Sequence, residues 1–404
     1  MRRISPTAFR IARRGTSREI NRQIALNLVR STQPISRADL ARLMGVRRGA
    51  VSRLVEDLIR SKLVFEGAKG ESKRGRKPRH LYIETRRNCA LAVDVSASRL
   101  LVQVADPLGH PLLDLQEYPM RSRPQDFVKD LARTLEQLLA AHPEFGPCLG
   151  VGVVVAGLVD IARGRLRNAP TLGWQDLDLR APLSAALKLP VVVENDVKAC
   201  VLAQLWAVRG HAPVDGPVAF VNASDGVGVG IAIDGQLLRG ANNNAGELGH
   251  VSMNMEGPLC ACGQKGCWEA YVSVRAIIAR YRGTDPAWPA SAEPSDINVA
   301  KIIARAHAGE QRALDTLRET GHFLGRGFAT IIKAIEPRRI YVSGEITDGW
   351  DVVLPCVRQA MREQALVRES GDTEILIVPL GEQPRLRGAA ALVNSPAFAA
   401  PVVA

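Results

Sequence analysis

Ala245-Gly246-Glu247-Leu248-Gly249-His250 is followed, after nine intervening residues, by Cys260-Ala261-Cys262-Gly263-Gln264-Lys265-Gly266-Cys267-Trp268-Glu269. Three of the seven cysteines therefore fall within eight residues. The other four, Cys89, Cys148, Cys200 and Cys356, are scattered in apolar surroundings, where a buried free thiol is the ordinary expectation. A clustered trio in a chain that lacks a secretory signal suggests a metal before disulfides. Cys-x-Cys is tighter than the usual Cys-x-x-Cys, so the cysteines alone do not settle it. By itself His250 would be a core or surface residue, and Glu247 and Glu269 would be caps or surface charges.

The segments on either side read as an α/β body. Ala90-Leu91-Ala92-Val93-Asp94-Val95 and Leu100-Leu101-Val102-Gln103-Val104-Ala105-Asp106 predict strands, Phe127–Leu139 a helix, and Val151-Gly152-Val153-Val154-Val155 a further strand. Strands and helices alternate from there to the end. Val191-Val192-Val193 runs into Glu194-Asn195-Asp196, where a strand ends and a helix opens, a position from which polar groups project into a cleft. Arg339-Ile340-Tyr341-Val342-Ser343-Gly344-Glu345 predicts a strand with a glycine turn. After Asn394 the Ala- and Pro-rich tail is expected to be disordered.

The N-terminal part differs in charge. Of the net +12, residues 1–88 hold 23 Lys or Arg against 7 Asp or Glu, and the remainder is mildly acidic. A basic head on an acidic body points to a polyanion held by the head. Its pattern is ordered: Ile20, Ile24 and Leu28 predict one helix face, Ser36 caps a short helix from Arg37 to Met44 with Asp39 at the third position, and Gly45-Val46 makes a tight turn. A third helix buries Val51, Leu54, Val55 and Leu58. Two short helices joined through a glycine turn form the helix-turn-helix plan. The residues placed to meet base edges are Arg47, Arg48, Gly49, Ser52 and Arg53. Leu63-Val64-Phe65 and Leu81-Tyr82-Ile83 then predict a hairpin wing. Its basic loop would set Arg74, Arg76 and Lys77 against the minor groove or against phosphates alone.

The paired motifs around His250 and Cys260 resemble those of the ROK family, which groups sugar kinases with sugar-sensing repressors. Residues 85–395 carry the resemblance, and repressor members add a winged helix like residues 17–83. The resemblance implies a winged helix-turn-helix over 1–84 and an effector domain over 85–404. The latter would have a two-lobed actin/hexokinase-like (ribonuclease H-like) ATPase fold, with lobe one at about 85–195 plus the C-terminal helix and lobe two at about 196–380. It also implies a structural Zn2+ held by His250, Cys260, Cys262 and Cys267, a closed set of three thiolates and one imidazole. Sugar contacts carry over to Gly157, Asn195, Asp196, Glu247, His250 and Glu269, with Asp196 as the general base of the kinases. Carboxylates suit a sugar because they accept hydrogen bonds from adjacent hydroxyls.

Phosphoryl transfer needs more than a base. Where the kinases carry Asp-x-Gly-Gly-Thr, this chain reads Asp94-Val95-Ser96-Ala97-Ser98, and the backbone freedom of both glycines is gone. In the second phosphate loop, Ser224-Asp225-Gly226-Val227-Gly228-Val229-Gly230, a carboxylate replaces threonine. The expected function is a transcriptional regulator, a repressor of carbohydrate genes that senses sugar without being an enzyme. The alternatives are a bifunctional regulator that retains ATP-dependent sugar kinase activity, and an effector domain that reads a partner protein. Expected partners are a double-stranded DNA operator, a sugar or sugar phosphate, and further copies of the chain as homodimer or homotetramer. Glucose, xylose, an acetylated amino sugar or a sugar phosphate would each satisfy the pocket. No apolar run predicts a membrane span, and a cytoplasmic location is expected.

Overall fold

The computed structural model describes residues 16–69, 79–96, 99–120, 123–207, 216–286, 296–366 and 372–398. Arg74, Arg76, Lys77, Ala97 and Ser98 lie outside the described residues.

The head comprises α1 (Thr16–Thr32), β1 (Ile35–Ser36), α2 (Arg37–Met44), α3 (Arg48–Arg60), β2 (Val64–Lys69) and β3 (Arg79–Ile83). Ser36 caps α2 as its sequence predicts, its Oγ accepting from Asp39 N at 3.1 Å, and Gly45 closes that helix at φ 64°. Val51, Leu54, Val55 and Leu58 are all buried on α3. On α1 the expected face is displaced: Ala25, Leu26 and Val29 form the core, while Ile24 is 43% exposed. A strict four-residue series rotates about 40° per step on a helix of 3.6 residues per turn, so Ile20-Ile24-Leu28 walks off the buried side. β2 and β3 pair antiparallel, and β1, too short to stand out in the sequence, adds Ile35 opposite Leu81.

The body begins with β4 (Cys89–Val95), β5 (Arg99–Ala105), β6 (Gln116–Pro119), α4 (Pro124–Ala141), β7 (Cys148–Val155), β8 (Leu158–Asp160), β9 (Arg165–Ala169), β10 (Trp174–Asp178), α5 (Arg180–Leu187), β11 (Val191–Asn195) and α6 (Asp196–Ala207). It continues with β12 (Val218–Ala223), β13 (Val227–Ile233), β14 (Gln236–Leu237), α7 (Glu269–Val272), α8 (Val274–Arg282), α9 (Val299–His307), α10 (Gln311–Ile335), β15 (Arg339–Ser343), α11 (Trp350–Gln364), β16 (Glu374–Ile377) and α12 (Pro384–Phe398). The closing helix thus runs on past Asn394, where a disordered tail was expected; residues 399–404 lie outside the described residues.

Two five-stranded sheets share one topology. The first is ordered β11-β7-β4-β5-β6 and the second β14-β13-β12-β15-β16. In each, the first strand in sequence sits centrally, pairs antiparallel with the second and parallel with the fourth. Strand β4 is buried throughout, and apart from Asp94 near its end every residue in it is apolar. α4 and α5 cover the first sheet, and α8 to α11 build a core on the second around Phe328, Ile331 and Val357. α6 and α12 lie at the junction. α12 packs on β7 and β4, and α6 packs on α12 and β13. The glycines of β13 serve this packing: a Cβ on Gly230 would lie 2.5 Å from Val201 Cγ2 and one on Gly228 would lie 3.1 Å from Val197.

Candidate functional site

Between the sheets lies a cavity of about 320 Å3, lined by the first turn of α6, the β12–β13 turn, the segment from Asn244 to His250, and Glu269. Gly157, Asn195, Asp196, Glu247, His250 and Glu269 all line it, so the structure gathers every residue named for the sugar from the sequence.

Each is held by its surroundings. Asn195 N-caps α6: its Oδ1 accepts from Val197 N and Lys198 N, both at 3.1 Å, while its Nδ2 donates to Gly157 O at 3.0 Å and Asp196 Oδ1 at 3.2 Å. Gly157 is a close approach, since a Cβ there would lie 2.5 Å from Asn168 O. Glu269 opens α7 and is buried. Its Oε2 accepts from Val227 N at 2.9 Å and its Oε1 lies 3.3 Å from Cys260 Sγ. Gly226 leaves room for that carboxylate, because a Cβ would stand 2.7 Å from it. Glu247 is open along the cleft, but protein atoms around it desolvate its carboxyl and push its pKa up, against the pull of His250 and Lys198.

His250, Cys260, Cys262 and Cys267 offer ligand atoms that all lie within 4.8 Å of one another. Cys260 Sγ stands 3.6 Å from His250 Nδ1, and Cys262 Sγ stands 3.6 Å from Cys267 Sγ. A tetrahedron with metal–sulfur bonds of about 2.3 Å has edges of about 3.7 Å, so the set could hold a metal ion. With Nδ1 toward the cluster, Nε2 of His250 is left for the cavity. Burial pushes the thiols of Cys260 and Cys267 up, so a cation is what would draw them into the thiolate form.

Several residues escaped the sequence reading. Asn168, Thr171, Asn222 and Asn244 also line the cavity. Glu194, fully buried, pairs with Arg239 and accepts from Asn243 Nδ2 at 3.3 Å, while buried Lys198 donates to Asn243 O; together they brace the loop leading to Glu247. The residue with most consequence is Arg385, in the first turn of α12. Its guanidinium lies 3.1 Å from Asp196 Oδ2 and 3.7 Å from Asp94 Oδ1. Burial opposes its charge, but Asp196 and Asp94, with Cys200 and Asp225, together outweigh burial and hold the pKa up. Asp94 is raised, burial being the larger influence and Arg385 the opposing one. An isolated arginine between unrelated helices carries no local sequence signal; only the fold brings it to Asp196.

On the head, Arg47, Arg48, Gly49 and Arg53 are exposed and Ser52 is half-buried, all on the first turns of α3 or its N-cap. The three arginines make no ion pair among the described residues, whereas Arg37 nearby is tied to Glu66 at 2.9 Å. A Cβ on Gly49 would meet nothing within 4 Å, so packing does not require that glycine. No helix among the described residues is long and apolar enough to cross a membrane.

Comparison with known proteins agrees with this anatomy. The chain is 27% identical over 379 residues to the xylose repressor of Bacillus spizizenii, covering 93% of this chain and 95% of that protein. It is similar to the crystal structure of a ROK family transcriptional regulator, a homolog of the E. coli MLC protein, with TM-score 0.78 and 26% identity over 95% of this chain and 97% of that one. The body alone is similar to a ROK family glucokinase from Streptomyces griseus in complex with glucose and AMPPNP, with TM-score 0.65 and 27% identity over 75% of this chain and 98% of that one. The fold is accordingly a winged helix joined to the actin/hexokinase-like architecture of those proteins. The ROK family model matches residues 91–395, so the chain belongs to the ROK family.

Proposed function

We propose that this protein is a DNA-binding transcriptional regulator, a repressor of carbohydrate genes, whose kinase-like body binds a sugar and does not phosphorylate it. Arg385 carries the reading. A fixed, half-buried cation, 3.1 Å from Asp196 and 3.7 Å from Asp94, holds the two buried carboxylates that phosphoryl transfer would need as base and metal contact. Asp225 faces the same space, where it would repel a triphosphate. The remaining groups, Glu247, Glu269, Asn195 and the carbonyl of Gly157, suit the hydroxyls of a polyol.

The winged helix is assigned to residues 1–84 and the effector domain to 85–404. Arg47, Arg48, Gly49, Ser52 and Arg53 would meet base edges. His250, Cys260, Cys262 and Cys267 would hold a zinc ion, which as a closed four-ligand centre fixes the loop between Glu247 and Glu269. Two half-sites on a duplex call for at least a homodimer.

The test is genome-wide mapping of the protein's binding sites, followed by titration of a recovered operator fragment in the presence of xylose, glucose, an acetylated amino sugar and their phosphates. A shift in operator affinity with one neutral sugar is expected. Sites that show no common sequence, or a protein indifferent to every sugar, would overturn the reading.

A further inference from the structure

Two helices leave the pocket and both touch the winged helix. α6 starts at Asp196 and runs 12 residues, about 18 Å at 1.5 Å per residue, placing Trp206 at its far end. α12 starts beside it with Arg385, and the 3.1 Å pair between Arg385 and Asp196 joins the first turns of the two helices.

Along their length the helices are in backbone contact. A Cβ on Gly388 would stand 2.0 Å from Ala199 O, and Leu386, Ala389 and Ala390 pack in one cluster with Ala199 and Leu202. On its other side α12 rests on β7, where a Cβ on Gly152 would stand 2.0 Å from Ala389 O. Packing this close leaves no continuous range of sliding, so a change at one end is passed on as a step of the pair.

At the far end the body reaches into the head. Trp206 and Leu108 pack against the head's own hydrophobic core. The Arg30 guanidinium of α1 stacks over the Trp206 ring at 4.4 Å and donates to Trp206 O at 3.0 Å, while Trp206 Nε1 donates to Leu108 O at 3.2 Å. α12 also touches α1. Head and sugar pocket are therefore joined by one helix pair with a named polar fastening at each end.

We propose that α6 and α12 are the transmission between effector and operator, with Arg385–Asp196 as the input contact and Arg30–Trp206 as the output contact. The inference rests on the sugar-responsive reading of this pocket. A sugar hydroxyl that donates to Asp196 competes with Arg385 for the same carboxylate. The loosened pair lets α6 and α12 settle in a second arrangement, and Trp206 then presents a different surface to Arg30 and to the head. No bond is made or broken beyond this exchange of hydrogen bonds. Because coupling is reciprocal, operator DNA must change sugar affinity by the same factor by which sugar changes operator affinity.

The experiment uses the full-length protein, an operator fragment and the sugar that gives the largest wild-type response. Operator affinity is read by fluorescence anisotropy with and without sugar, and sugar affinity by calorimetry. Melting curves check the fold. Trp206→Ala and Arg30→Gln should each bind sugar within about twofold of wild type, yet the sugar-dependent change in operator affinity should fall from about tenfold or more to below about twofold. Trp206→Phe, which keeps the ring and loses the N–H, should retain an intermediate response. Should Trp206→Ala not fold, Arg30→Gln and Trp206→Phe decide the matter. Folded variants that keep the full wild-type response overturn the link and leave the sugar-sensing reading standing. A wild type that binds sugar with no change in operator affinity overturns the sensing reading and the link together.

Discussion

The guanidinium of Arg385 lies between two carboxylates from different elements, 3.1 Å from Asp196 at the start of α6 and 3.7 Å from Asp94 near the end of β4. A phosphoryl-transfer site needs an exchangeable metal and a free base, whereas a covalently tethered cation neither exchanges nor leaves. The same pair that argues against catalysis also sets what the site can do when a sugar arrives.

The first expectation concerns turnover. With ATP, magnesium and a panel of sugars, a coupled assay should give no rate approaching the roughly 1–100 s−1 of a working kinase. A rate in that range on any sugar would restore the bifunctional reading.

Asp196→Asn should weaken sugar binding by about 10- to 100-fold, the worth of one hydrogen bond to a charged acceptor. Asn keeps an acceptor for Arg385 while Asp94 remains nearby, so the melting temperature should fall little. Calorimetry that finds unchanged sugar affinity would remove Asp196 from the pocket.

Removing the cation should do the opposite. Arg385→Met leaves Asp94 and Asp196 facing each other without a counter-charge, and breaking a buried pair in this way costs about 3–5 kcal/mol. Asp94 is already raised above its ordinary value by burial, and it should rise further. The folded state then holds a proton that the unfolded chain has released, so the stability of this variant should decline as pH rises from the unfolded carboxylate pKa through the raised folded one. Urea melts of Arg385→Met at pH 5 and pH 8 should show the gap to wild type widening at the higher pH; a constant gap would refute the assignment.

Much of this was legible in the sequence because it was local. Ser36 and Asp39 cap α2 three residues apart, Gly45 supplies its left-handed end, and Glu247, His250 and the cysteines sit within one short stretch. Strand β4 announced itself by a short apolar run interrupted only by Asp94. What stayed hidden depends on distance along the chain. Arg385 meets Asp94 from nearly three hundred residues away, Glu194 and Lys198 brace a loop more than forty residues downstream, and Asn168 enters the cavity from the short strand β9, which has no clear alternation. The glycines of the second loop held the reverse lesson: their spacing matches a phosphate cradle, yet Gly228 and Gly230 are needed for the approach of β13 to α6.

The His250–Cys260–Cys262–Cys267 cluster should bind one zinc ion per chain by elemental analysis. Chelation, or Cys262→Ser, should lower the melting temperature of the body, because metal affinity in a closed site is also folding free energy. Sugar affinity should fall with it, since Glu269 contacts both Cys260 and the β12–β13 turn. A protein isolated without metal and with an unchanged melting curve on chelation would show the cluster to be a reduced thiol group only.

Arg48 offers the cleanest separation of head from body. It is exposed in the first turn of α3, makes no ion pair among the described residues, and has no contact with the cavity around Asp196. Replacing it by alanine removes no packing, so the fold should be unaffected. If it meets a guanine edge, operator affinity should drop by about 1–3 kcal/mol and discrimination at one base position should relax. If it meets only phosphate, affinity should fall about equally on all sequences and the salt dependence of binding should become shallower by about one counterion. Titrations of Arg48→Ala against operator and scrambled duplex at two salt concentrations distinguish these outcomes. Calorimetry on the same preparation should return the wild-type sugar affinity in the absence of DNA. An operator affinity equal to wild type under all conditions would move the DNA-contacting surface away from the start of α3.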